Sequence, residues 1–170
     1  VTTIKTLPNE MTVVGGQFTM AGPATGYGAF INPSTSEIVG PITHIGGAAG
    51  SLVYSAIPDD NGGWYVGGKF TITGDYNRTN LVHILADGTV DPDWTFDTNG
   101  NVRALFIDDG ILYVGGEFTT IGGQTRNRLA SIDLTSEELT SWNPNANSHV
   151  YTLVVDGSTV YVGGNFWTIG

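Results

Sequence analysis

"YVGG" stands at Tyr65–Gly68, again at Tyr113–Gly116 and again at Tyr161–Gly164, with the close relative "VVGG" at Val13–Gly16. A Phe follows each Gly pair at the same interval, giving Phe18, Phe70, Phe118 and Phe166. Gly67, Gly115 and Gly163 are spaced by 48 residues, and Gly15 precedes Gly67 by 52. Self-similarity at such a period is the signature of a repeat architecture.

The match extends beyond the phrase. The spacing places Tyr54, Val102 and Val150 in one register, Ile57, Leu105 and Leu153 in a second, and Asp60, Asp108 and Asp156 in a third. Arg78 aligns with Arg126, Leu81 with Leu129, and Trp94 with Trp142. The first unit keeps Leu7 and "AFINP" but lacks the Arg and the Trp. Each full unit reads as four short β-type stretches, in the third unit "VRALFID", "ILYVGGEF", "RLASIDL" and "LTSWNP". The joins "DDG", "TTIGGQTRN" and "TSEE" have the composition of hairpin loops. No segment sustains helical periodicity.

Four antiparallel strands in about 48 residues is the scale of a propeller blade. "VRALFID" is apolar on both faces, which fits a sheet covered on both sides, so the expected fold is an all-β propeller or part of one, with a sandwich as the alternative. A Gly pair inside a strand marks a bulge or a close backbone approach. Gly15, Gly16, Gly67, Gly68, Gly115, Gly116, Gly163 and Gly164 are therefore expected to admit a neighbouring strand or blade. Phe18, Phe70, Phe118 and Phe166 are expected to fill the layer between blades, and Trp94 and Trp142, placed on the fourth strand, to join them.

Acidic residues outnumber basic ones 16 to 6, for a net charge of −10. That balance argues against nucleic acid, since a phosphate-binding surface needs clustered Lys and Arg, and against an anionic membrane surface. The absence of Cys excludes disulfides and thiolate chemistry. No apolar run reaches the roughly 18 residues of a membrane span, and no signal peptide is visible.

"YVGGEFTTIGGQTRNRLASIDLTSEELTSWNP" (113–144) resembles the bacterial and phage delta-sixty-type β-propeller repeats. It is also similar to kelch repeats in its Gly doublet after an apolar run and its later Trp. The resemblance covers essentially the whole chain. It implies a secreted or surface-exposed propeller used in adhesion, scaffolding or recognition. The divergent first unit departs from it.

The expected organisation is one propeller-repeat region over 1–170, with units of about 1–52, 53–100, 101–148 and a partial 149–170. The fourth unit supplies two strands. A piece of a longer repeat protein is therefore expected, the alternative being closure through other copies or a partner chain.

Sites for chemistry are sparse. His44, His83 and His149 share no register and no metal-ligand spacing, and read as loop or strand-face residues. "GGAAGS" (46–51) precedes no helix and reads as a loop between blades. The recurrent Asp60, Asp108 and Asp156 fall short of a calcium ligand set and read as turn residues. "ADGTVDPDW" (86–94) lacks EF-hand spacing. Arg78 and Arg126 suit contacts with loop carbonyls or with Trp. "NRT" (77–79) has the N-glycosylation pattern. The residues that break the repeat are the binding candidates: Trp167 where earlier units have Thr71 and Thr119, Tyr76 opposite Gln124, and Asp75 opposite Gly123. For Trp167 the competing reading is contact with a further strand or chain. The expectation is a non-enzymatic extracellular or cell-surface scaffold, without catalytic, cofactor or metal residues. Its partner would be a protein or further blades of the same kind, with glycan as an alternative. The competing functions are a structural subunit joined through its open half-blade, and a lectin-like or glycan-acting domain.

Overall fold

The repeated phrase forms the second strand of every sheet. A computed structural model describes residues 3–6, 12–15, 28–38, 45–46, 50–72 and 76–170. Sheet I holds β1 (Thr3–Thr6), β2 (Thr12–Gly15) and β3 (Gly28–Ile31). Sheet II holds β4 (Leu52–Pro58), β5 (Trp64–Ile72) and β6 (Arg78–Ile84). Sheet III holds β7 (Val102–Asp108), β8 (Ile111–Gly116), β11 (Leu129–Asp133) and β12 (Glu138–Leu139). The small hairpin β9 (Thr120–Ile121) and β10 (Gln124–Thr125) lies in its loop. Sheet IV pairs β13 (Val150–Asp156) with β14 (Thr159–Gly164). Every pairing is antiparallel. The described residues contain no helix. The fold is an all-β propeller region; among the described residues the sheets do not close into a ring, and sheet IV holds two strands.

The blades stack in chain order: β1 and β2 against β4, β4 and β5 against β7, β7 and β8 against β13. The core divides into the layers between them. The II–III layer joins Ile57, Tyr65, Leu81 and Trp94 to Val102, Leu105, Val114 and Phe118. The III–IV layer joins Leu129, Phe106, Tyr113 and Trp142 to Val150, Leu153, Val162 and Phe166. Phe70 lies with Val53 and Val66 on the face of sheet II turned towards sheet I.

The phrase now resolves residue by residue. Tyr faces the next blade, and Val and Phe face the previous one. A Cβ on the first Gly would strike the next blade's first strand. On Gly67 it would lie 2.5 Å from Val102 Cγ1, and on Gly115 it would lie 2.9 Å from both Val150 Cγ1 and Leu153 Cδ2. The second Gly meets its own blade instead: a Cβ on Gly68, Gly116 or Gly164 would run into the carbonyl oxygen of Leu52, Asn101 or His149. One Gly thus admits the neighbouring blade and the other the neighbouring strand. Gly15 lies at the end of β2, whereas Gly16 and Phe18 lie outside the described residues.

Two expectations need correction. The residues paired with the second Gly are Val53, Val102 and Val150, not Tyr54 with the two valines. Ala56 matches Leu105 and Leu153, so Ile57 moves to the opposite face, and Asp59 rather than Asp60 matches Asp108 and Asp156. The hairpin 59–63 is one residue longer than its counterpart, and with a period of two a one-residue shift changes the face of every side chain. Asp59 is also the turn former: its Oδ1 accepts the N–H groups of Asn61 (2.8 Å) and Gly63 (2.7 Å).

The fourth strand is also shorter than expected. It is two residues in sheet III and single bridges in sheets I and II, Ile31–Ile38 and Ile84–Val90. Trp94 and Trp142 lie beyond it. The recurrent Arg explains why the ladder stops. Arg78 Nη2 donates to the carbonyls of Asp91 (3.3 Å) and Pro92 (2.9 Å), and Arg126 Nη2 to that of Thr140 (3.0 Å). The chain then turns its Trp into the layer against Tyr65 or Tyr113.

The two glycines should differ in cost. Gly115→Ala meets side-chain ends and is expected to lose about 1–3 kcal/mol by overpacking. Gly116→Ala meets a backbone carbonyl that has no rotamer to retreat to. Its urea midpoint is expected to fall further than that of Gly115→Ala.

Candidate functional site

The first strands of sheets II, III and IV each carry a bulge against their partner. The register shifts between Val53 and Ser55, between Val102 and Ala104, and between Val150 and Thr152. The extra residues are Tyr54, Arg103 and Tyr151, so an Arg stands between two Tyr at this position. A bulge leaves its residue outside the ladder and re-aims the side chain. Here it brings three successive blades into one row. The Arg103 guanidinium carbon lies 4.0 Å from the Tyr54 ring centroid and 5.9 Å from that of Tyr151.

Beside this row stand the residues that follow each Gly pair: Lys69, Glu117 and Asn165. Glu117 Oε1 accepts from Arg103 Nε at 2.7 Å and pairs with Nη2 at 2.5 Å, while its Oε2 accepts from Asn101 Nδ2 at 2.7 Å. Asn165 Nδ2 donates to Tyr151 Oη at 2.8 Å. Arg103 is 29% exposed by side chain, and Tyr151 is 43% exposed. The rim is therefore ordered by charge-assisted bonds and cation–π contact yet open to solvent.

A second constellation lies at the opposite, hairpin end of sheet II. His83 Nδ1 is 2.7 Å from Asp91 Oδ2 and its Nε2 is 3.0 Å from Asp59 Oδ2. The ring thus bridges the two carboxyl groups, one at each nitrogen. It stacks on Tyr65 at 4.3 Å, and Trp94 packs beside both rings. Burial, and behind it the charge of Asp59, pushes the Tyr65 phenol well above the ordinary tyrosine range. The other oxygens of the two carboxylates hold turns, Asp91 Oδ1 accepting the Asp93 N–H at 2.9 Å. In sheet III the same slot holds Ser131 and Thr140, whose hydroxyls are 2.5 Å apart. The backbone bond is common to both, Asp91 to His83 at 3.0 Å and Thr140 to Ser131 at 2.9 Å. The slot is a clasp between turns, and its polar pair is interchangeable. Among the described residues no three His, Asp or Glu are disposed to hold a metal.

Trp167 is 82% exposed and Tyr76 is 41% exposed. They stand on sheets IV and II, two blades apart, and do not form one site. Tyr76 lies 5.7 Å from the Arg78 guanidinium carbon. The Trp167 backbone N–H donates to Asn147 Oδ1 at 3.1 Å, as Thr119 N–H does to Asn99 Oδ1 at 2.8 Å. Asp75 lies outside the described residues. Asn77 of "NRT" is exposed. Sequence reasoning missed the bulge row and the clasp. A signal for the row was available: within a nearly constant phrase, the one position between GG and Phe reads Gln17, Lys69, Glu117 and Asn165.

The family described as "Domain of unknown function (DUF5122) beta-propeller" matches residues 60–93 and 108–130. The two segments cover equivalent parts of sheets II and III. No curated protein matches the chain. Fold and matched segments together make this a β-propeller-repeat chain.

Removing His83 leaves two buried carboxylates face to face. His83→Ala is expected to lose about 3–5 kcal/mol, against about 1 kcal/mol for Ser131→Ala, both read from urea midpoints. Tyr65 stays protonated in the fold, whereas an unfolded tyrosine ionises near pH 10. Its contribution is full below that pH and is lost as pH rises above it. Tyr65→Phe should flatten this alkaline fall in stability.

Proposed function

We propose that this chain is a non-enzymatic, extracellular or cell-surface propeller-repeat region of delta-sixty or kelch-like type that serves as a rigid binding scaffold. One observation carries the reading. Residues that repeat are buried between blades, and residues that do not repeat stand on an ordered, accessible rim. Tyr54, Arg103 and Tyr151 share one backbone position across three blades and Lys69, Glu117 and Asn165 a second, the first holding Tyr, Arg and Tyr and the second a cation, an anion and an amide. A frame that fixes position while side chains vary suits recognition. The Asp59–His83–Asp91 group is tied to backbone turns, which supports a structural role for it. The scaffold reading is tested by surface plasmon resonance against immobilised matrix proteins and a glycan array. The native chain should bind at least one ligand. The triple variant Tyr54→Ala/Arg103→Ala/Tyr151→Ala should lose it by about tenfold or more, or about 1.4 kcal/mol, while Asp156→Ala retains it. Equal binding by both variants would count against the rim.

A second reading is favoured by sheet IV. Its Tyr161 is 57% exposed and Val154 is also open, whereas the matching Tyr65 with Ile57 and Tyr113 with Phe106 are packed in layers. This face is built to take another sheet of the same repeat, which supports assembly between copies. Scattering mass should then rise with concentration and stop rising in Tyr161→Lys. A constant mass in both would remove this reading.

A further inference from the structure

Charge is divided between the two ends of the blades. Lys69, Arg78, Arg103, Arg126 and Arg128 all lie at the end where the first strands begin. The exposed carboxylates of Glu37, Asp60, Asp87, Asp109, Glu137 and Asp156 lie at the hairpin end. The first strands β4, β7 and β13 are seven residues long. At about 3.3 Å per residue, they hold the two ends roughly 20 Å apart, beyond a Debye length of about 8 Å. The charge of those hairpin-end carboxylates is thus weakly felt at the rim.

Of the rim cations, Arg78, Arg126 and Arg128 donate to backbone carbonyls. Lys69 is exposed and makes no ion pair among the described residues. Arg103 lies over Tyr54 with Nε and Nη2 bonded to Glu117, while its Nη1 makes no hydrogen bond among the described residues. An orientated guanidinium edge is thus left beside the open ring of Tyr151, whose hydroxyl is fixed by Asn165.

We propose that this row is a subsite for an acidic saccharide, a pyranose bearing a carboxylate; the proposal rests on the scaffold reading above. The aromatic face of Tyr151 takes the C–H face of the sugar ring. Arg103 Nη1, with Lys69 nearby along the rim, takes the carboxylate. Asn165 and Glu117 take hydroxyls. The open ring of Tyr151 decides the class: a flat aromatic face with its hydroxyl fixed by Asn165 suits the C–H face of a pyranose, which the side chains of an acidic peptide do not offer.

The test is calorimetry with galacturonic-acid oligomers, their fully methyl-esterified form and poly-glutamate. The acid form should bind, the ester about tenfold or more weakly, and poly-glutamate not measurably. Arg103→Gln should erase the preference for acid over ester, and Tyr151→Ala, at an exposed site, should weaken both saccharides without moving the unfolding midpoint. Equal affinity for acid and ester, undiminished binding by Arg103→Gln, or equal binding of poly-glutamate would overturn the proposal. If no saccharide binds while the rim triple variant still loses a protein ligand, the saccharide inference falls and the scaffold reading stands. If rim variants alter no binding of any kind, both fall.

Discussion

The stacking of sheets II, III and IV depends on one docking contact: the Val and Leu of β7 and of β13 seated over the first Gly of the preceding blade. Val102 and Leu105 sit against Gly67, and Val150 and Leu153 against Gly115. Each fully buried aliphatic side chain contributes about 1.5–3 kcal/mol, but only if the sheet it meets offers a notch. Any side chain at that Gly would lift the next blade away, and Tyr, Leu and Trp of the same face would lose their contacts with it. A single small position therefore sets the spacing of whole sheets.

Much of this was legible from spacing alone. A residue committed to an interface between identical units must recur with the unit, so the Gly pair, the Phe and the Trp announced their burial by repetition. The failures have an equally physical origin. The five residues 59–63 close a hairpin that four residues close in the next unit, and nothing in their composition shows which strand absorbs the difference. Spacing counted from Gly67 then placed Tyr54 and Ile57 on the wrong faces. The bulge hid for a related reason, because an extra residue in one strand leaves the 48-residue spacing unchanged when the second, third and fourth units all have it. The His83 clasp was illegible because its partners, Asp59 and Asp91, are distant in the chain and its counterpart uses hydroxyls instead.

The search for function by pattern-breaking residues was sound in principle but aimed at the long loops. Trp167 and Tyr76 break the pattern there, on separate blades. The row of Tyr54, Arg103 and Tyr151 breaks it inside strands, each member directly after a buried Val. Loop positions inherit freedom from lack of contacts. The bulge positions have it because the ladder passes them by.

That freedom has a consequence for how such a chain can change over generations. A residue outside both the ladder and the packed layers can be exchanged with little effect on folding. Duplication of a unit copies its frame and its free position together, and the copy can then drift independently. Along a series of blades the bulges become separate letters in one word, each editable without rewriting the others. A lineage of these repeats could thus acquire a new ligand by point substitution at constant architecture, much as one typeface prints many texts.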